Sequence, residues 1–91
     1  MTIIIAGNLT IKSGFRTKFI RASIDAIIQA RKSEGCNDFS VSEDPIDENR
    51  INIFEKWSSR EALERFRESG PGDDVLSMVE LFNVQEYEIS I

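Results

Sequence analysis

Glu55 and Trp57 stand two positions apart in Arg50-Ile-Asn-Ile-Phe-Glu-Lys-Trp57, where Ile51, Ile53, Glu55 and Trp57 share one phase and Asn52, Phe54 and Lys56 the other. On a strand, shared phase is a shared face. A carboxylate flanked there by isoleucines and an indole loses hydration, which raises its pKa and suits it to accept a proton as a general base. The competing reading is a carboxylate fixed in an ion pair or by backbone N–H groups. Tyr87 alternates with Glu86 and Glu88, so its phenol either donates to a substrate oxygen or fills the core. Phe39 and Val41 alternate with Asp38, Ser40 and Ser42, and Phe66 lies on a helical apolar face. With Ile53 these residues predict a cavity that is apolar and aromatic around one carboxylate, which suits a small flat compound.

Other chemistries lack their residues. The chain has no histidine and a single cysteine, Cys36, so internal disulfides and the Cys/His zinc patterns are excluded and no metal site is expected. A lone cysteine at a strand start reads as a small apolar filler rather than a nucleophile. The acidic run Glu43-Asp44-Pro45-Ile46-Asp47-Glu48 lacks the spacing of a calcium hand and reads as a solvated hairpin. No glycine-rich phosphate cradle or dinucleotide fingerprint is present, and no cofactor is expected. A net charge of −5 opposes nucleic-acid phosphates. The first 35 residues are locally basic, with six basic and two acidic side chains, which reads as the solvated face of a helix. No apolar run approaches the ~20 residues of a membrane span, and the start at Met1 shows no basic leader. A cytoplasmic protein with no membrane partner is the expectation.

These residues must be held by a small number of elements, since 91 residues can build one modest core. Residues 2–11 are apolar on both alternate sets and predict a central strand. After Ser13-Gly14, the stripe Phe15, Phe19, Ile20, Ile24, Ile27 and Ile28 predicts an amphipathic helix stopped by Gly35. Cys36–Asp44 predicts a second strand near an edge, in a hairpin with Arg50–Trp57. Ser58-Ser-Arg-Glu61 fits a capping box and opens a helix carrying Ala62, Leu63 and Phe66, broken by Gly70-Pro71-Gly72. A short helical pattern follows over Val75, Leu76, Met78, Val79 and Phe82, then a strand from Val84 to Ile91. The order βαββαβ predicts an α+β, ferredoxin-like domain with both helices on one face of an antiparallel sheet. Ile4, Ala6, Phe54 and Val84 are expected on the other face, an apolar surface that a second copy would cover.

Four segments together resemble the antibiotic biosynthesis monooxygenase family of the dimeric α+β barrel superfamily. They are Ala6-Gly-Asn-Leu-Thr-Ile11, Glu34-Gly-Cys36 with Asp38-Phe39, Asp44-Pro45 through Asn49-Arg50, and Glu55-Lys-Trp-Ser-Ser-Arg-Glu-Ala-Leu63. The resemblance makes residues 1–91 one domain of this type and implies a homodimer through the sheet faces, with ligand between sheet and helices. It also implies that Trp57 borders the pocket, where its ring would stack on an aromatic substrate, or else anchors the second helix. Asn8 is similar to an asparagine of the haem-degrading relatives, but its neighbours align that residue with Gly7, and one residue of shift is the opposite face. The histidine those relatives carry nine residues after the tryptophan is Phe66 here, which excludes histidine-ligated haem.

The resemblance implies a cofactor-independent monooxygenase or related oxidoreductase acting on a small aromatic or quinol-like compound. Glu55, Trp57 and Tyr87 are its candidate catalytic residues, and Asn8, Phe39, Val41, Ile53 and Phe66 the candidate binding residues. An electron-rich phenolate reacts with oxygen by itself, so the protein need only bind it, remove a proton and exclude water. The alternative is a non-catalytic small-molecule binding module on the same scaffold. Two other uses of this strand order fit less well: an RNA recognition module lacks its aromatic strand signature in this acidic chain, and Gly14-Phe15-Arg16 is only a fragment of an acylphosphatase loop.

Overall fold

Two short helices and four strands follow in the order β1 (Thr2–Ile11), α1 (Arg16–Lys32), β2 (Cys36–Glu43), β3 (Arg50–Trp57), α2 (Arg60–Glu68) and β4 (Val79–Ile89), with a 3₁₀ turn over Asp73–Met78 before the last strand. The computed structural model describes residues 1–69 and 73–90, so the Gly70-Pro71-Gly72 break and Ile91 lie outside the described residues. The strands form one open antiparallel sheet of order β2-β3-β1-β4. Apolar on both faces, β1 is central as expected, and β2 with its wet face is an edge. β1 pairs with β3 from Ile3↔Trp57 to Thr10↔Arg50 and with β4 from Thr2↔Ile89 to Ile11↔Val79, the register slipping between Thr10 and Ile11.

Register assigns the faces. Ile3, Ile5, Gly7, Leu9 and Ile11 look toward the helices together with Trp57, Glu55, Ile53 and Ile51. There they make two core clusters. One joins Ile3, Ile5, Phe39 and Trp57 to Ala30 of α1 and Ala62, Leu63 and Phe66 of α2, and the other joins Leu9, Ile11 and Ile51 to Phe19 and Met78. Trp57, Ile3, Ile11, Ile51 and Leu63 are fully buried. Such side chains each stabilise the fold by about 1.5–3 kcal/mol over exposure.

Gly7 is demanded by the sheet itself. Its φ of +151° is open in practice only to glycine, and an added Cβ would lie 2.0 Å from the Asn83 carbonyl oxygen of β4. Gly35 joins a positive φ of +85° to close packing, since a Cβ there would meet the Ala62 Cβ at 2.5 Å and the Ser58 Oγ at 2.9 Å. The α1–β2 turn is thus pressed against the first turn of α2.

Four local expectations need correction. The buried stripe of α1 runs through Phe19, Ser23 and Ala30, while Ile24 and Ile28 are exposed; Ser23 is tolerated because its hydroxyl donates to the Phe19 carbonyl at 2.8 Å. The cap of α2 is Ser59, whose Oγ accepts from the Ala62 N–H at 3.2 Å, one residue later than the capping box placed it. β4 starts at Val79 rather than Val84, because pairing with β1 overrides the helical spacing of Val75 to Phe82. Val84 pairs with Gly7 and so lies on the helix side, not on the outer face.

The β2–β3 connection is built around Asp44. Its Oδ2 accepts the N–H groups of Ile46 and Asp47 at 3.0 and 2.8 Å, and its Oδ1 accepts the Asn52 amide at 3.0 Å. The Asp47 N–H foremost, then the Asn52 amide, hold this carboxyl down at about 2. Arg16 ties the start of α1 to the same connection, donating to the carbonyls of Asp44 and Asp47 at 3.0 and 2.9 Å and pairing with Glu43 at 2.7 Å.

Candidate functional site

The layer between the sheet and the helices is where strand phase placed most of the candidate residues, and the two helices cover different parts of it. α1 lies mainly on β2, and α2 on β1 and β3. The Gln29 amide donates to Ser69 Oγ at 3.1 Å, which turns the flank carrying Gln29, Ala26 and Ala22 toward the end of α2. Between the helices the sheet presents Gly7, Val41, Ile53 and Val84, all half-buried, with Glu55 beside them. Val41 and Val84 pack against both core clusters, so this strip is the seam of the core.

Glu55 sits where strand phase placed it. It pairs with Ile5 on one side and Phe39 on the other, on the helix face. Burial is the largest influence on its carboxyl and pushes the pKa up. The Trp57 N–H and the Arg67 guanidinium pull it back, and the Glu86 carboxylate raises it again. Trp57 Nε1 donates to Glu55 Oε1 at 3.0 Å, as two side chains on one face of one strand allow. Among the described residues nothing donates to the other oxygen, Oε2.

Trp57 is fully buried. One face of its ring stacks on Phe66 with centroids 5.3 Å apart and planes at 29°, and Phe39 meets it edge-on at 6.5 Å and 85°. Phe39 and Phe66 also touch edge-on at 5.7 Å. The aromatic trio predicted to line a cavity is therefore brought together, but as a packed cluster that anchors α2 and closes one end of the layer.

Two expected site residues lie elsewhere. Tyr87 pairs with Ile4 and so projects from the sheet face away from the helices, 48% exposed, its hydroxyl donating to Gln85 at 2.9 Å. Asn8 pairs with Asn52 and Asn83 on that same outer face. One residue of phase separates each from the layer, which Gly7 and Glu86 enter instead.

Pattern reasoning passed over Arg67 and Glu86. Arg67 Nη2 meets Glu86 Oε1 at 2.7 Å, and Arg60 Nη2 meets Glu88 Oε1 at 2.6 Å, so α2 is tied to β4 along the open side of Glu55. The Arg67 bond keeps the Glu86 carboxyl below its ordinary pKa. The available signal was Arg60 and Arg67 seven residues apart on one helix face, matched by Glu86 and Glu88 on one strand face. A separate polar cleft of about 320 Å³ opens at the start of α1, between Ser13, Thr17, Glu43 and Asn49, and contains none of the expected site residues. Among the described residues no group of three or more His, Cys, Asp or Glu side chains is placed to hold a metal ion, and no helix is long and apolar enough to cross a membrane.

Comparison with known proteins agrees with this architecture. The family model described as "Antibiotic biosynthesis monooxygenase" matches residues 2–75. An uncharacterized protein of Synechocystis sp., sll1783, is 36% identical over 62 residues, which are 68% of this chain and 42% of that protein, so the chain spans about two fifths of that relative's length. A Bacteroides thetaiotaomicron protein of unknown function, named a possible oxidoreductase, superposes with a TM-score of 0.83 at 18% identity over 97% of each chain. A Nitrosomonas europaea protein named "Putative antibiotic biosynthesis monooxygenase" gives 0.81 at 16% identity, again over 97% of each chain. At such identities the two structures speak to the fold alone.

Proposed function

Because the chain belongs to the antibiotic biosynthesis monooxygenase family, we propose that it is a cofactor-independent monooxygenase acting on a small aromatic or quinol-like compound held between sheet and helices. The observation that carries this reading is Glu55, half-buried at the core seam, with its carboxyl pushed up by burial and one oxygen without a donor among the described residues. Deprotonation of a substrate hydroxyl by Glu55 Oε2 yields an electron-rich anion that gives its electrons to dioxygen directly. The protein contributes proximity, a proton acceptor and a site from which water is thinned. Tyr87 and Asn8, on the outer face, have no part in this step. Measured with an oxygen electrode on a panel of phenols and hydroquinones, uptake above the protein-free rate is expected without added metal, flavin or nicotinamide. Glu55→Gln should slow it about 10²–10⁴-fold. Uptake that the variant leaves untouched refutes Glu55 as the base.

The packed Trp57–Phe66–Phe39 cluster favours a second reading, a non-catalytic binding module with little room for chemistry. Quenching of Trp57 fluorescence by aromatic compounds with no oxygen uptake would select it.

A homodimer through the outer sheet face belongs to the proposal. That face carries Ile4 and Ala6 with the exposed Phe54, Leu81, Tyr87 and Ile89, an apolar surface that a second sheet would cover to make the barrel. Phe54→Glu should yield a monomer in light scattering at micromolar concentration, and a wild-type monomer there would refute the assembly.

A further inference from the structure

We propose that Trp57 is a positioning residue for Glu55: its indole N–H occupies Oε1 in both protonation states, so that only Oε2 exchanges a proton with the ligand, while the indole ring itself never touches the ligand. The proposal rests on the reading of Glu55 as the proton acceptor. It starts from the burial of Trp57, which stacks one face on Phe66, meets Phe39 edge-on and is 0% exposed. Stacking on a substrate, the role the sequence resemblance implied, has no free ring surface to use.

The polar atom of the indole is the informative one. An indole N–H donates and cannot accept. It lies 3.0 Å from Glu55 Oε1, so Oε1 must offer a lone pair to it whether the carboxyl is charged or neutral. A proton gained by Glu55 therefore resides on Oε2, for which no described residue competes. In the proton transfer the substrate O–H bond breaks, its electron pair stays on the substrate oxygen, and the new O–H bond forms at Oε2. Strand geometry makes the arrangement rigid, because residues two apart on β3 project side by side and Trp57 is clamped by α2 through Phe66.

The groups that bias this equilibrium are few. Arg67 of α2 favours the carboxylate and Glu86 of β4 disfavours it, and on β2 the thiol of Cys36 feels the Glu55 charge. The Trp57 bond also favours the carboxylate, as a donor to a charged acceptor does. Removing the donor while keeping a ring of similar packing should thus raise the Glu55 pKa and release Oε1 to rotate.

Trp57 is the single tryptophan of the chain, which supplies the test. In the wild-type protein the ¹H and ¹⁵N shifts of the indole N–H should titrate together with the ¹³C shift of the Glu55 carboxyl, at a midpoint above that of an ordinary glutamate. In Glu55→Gln the indole step should vanish. Trp57→Phe should move the Glu55 carbon midpoint upward. With hydroquinone as probe, it should lower kcat about 10–100-fold, the range of a charge-assisted hydrogen bond, and leave KM within about twofold. An indole that ignores the Glu55 titration overturns the proposal, as does an unmoved Glu55 midpoint in Trp57→Phe. A large rise in KM overturns it in favour of ring contact with the ligand. The wild-type and Glu55→Gln titrations decide the matter even if Trp57→Phe does not fold. Full oxygen uptake by Glu55→Gln removes Glu55 as the base, whereas full uptake by Trp57→Phe removes the positioning role alone.

Discussion

Replacing Gly7 with alanine tests whether the close approach of β1 and β4 shapes the floor of the site. At φ +151° an alanine is strained by about 1–3 kcal/mol. Its Cβ would also fall 2.0 Å from the Asn83 oxygen and 2.8 Å from the Val84 Cα, both backbone atoms that no rotamer change can clear. β4 must withdraw by well over an ångström, loosening ladder bonds on either side of Val84 that each contribute about 0.5–1.5 kcal/mol net. With one bond lost on each side these come to about 2–6 kcal/mol, against about 5–14 kcal/mol for a domain of 91 residues. The melting temperature followed by circular dichroism should fall by at least ~8 °C. Gly14→Ala is the control, since its φ of +84° carries a conformational penalty of about 1–2 kcal/mol while nothing lies within 4 Å of the new methyl. Equal melting temperatures for the two variants would refute the argument, because the crowding at Asn83 would then have no consequence.

Two further expectations concern the framework. Ser59→Ala should destabilise the protein by about 1 kcal/mol in urea titrations through loss of the α2 cap, and Ser58→Ala by less; the reverse order would restore the earlier capping assignment. Asp44, held at about 2 by its turn hydrogen bonds, contributes stability that is complete above the ordinary carboxyl value of 3.8 and is lost as pH falls from there toward 2. Asp44→Asn should therefore flatten the acid limb of the stability curve over that window, and an unchanged limb measured by chemical denaturation would show that other carboxylates govern it.

The bounds of β1 were legible because residues 2–11 are rich in β-branched residues, and those of β3 because Ile51, Ile53, Glu55 and Trp57 alternate with Asn52, Phe54 and Lys56. Glu55 and the aromatic trio followed from phase alone. Tyr87 did not, and the reason is physical: a sheet with two partly apolar faces gives Tyr87 and Ile89 an apolar place on either side, so alternation cannot say which set points inward. The choice was made by pairing with β1, which puts Glu86 on the helix side opposite Ile5, where Arg67 meets it. In α1 the buried positions are Phe19, Ser23 and Ala30 while Ile24 and Ile28 are exposed, a helix rotation that hydropathy alone does not encode. The start of β4 was hidden because Val75, Met78, Val79 and Phe82 also fit a helical repeat.

The central place of β1 has a kinetic consequence. It is synthesised before the other three strands, yet its two neighbours are β3 and β4, and the β4 pairing joins Thr2 to Ile89. Until β4 has been synthesised, one edge of an apolar strand stays open to other nascent chains. The β2–β3 hairpin, closed locally, can form early, but the sheet stays incomplete until β4 is available. The slow step of folding should thus be the docking of β4, with a rate set by this high contact order rather than by helix formation.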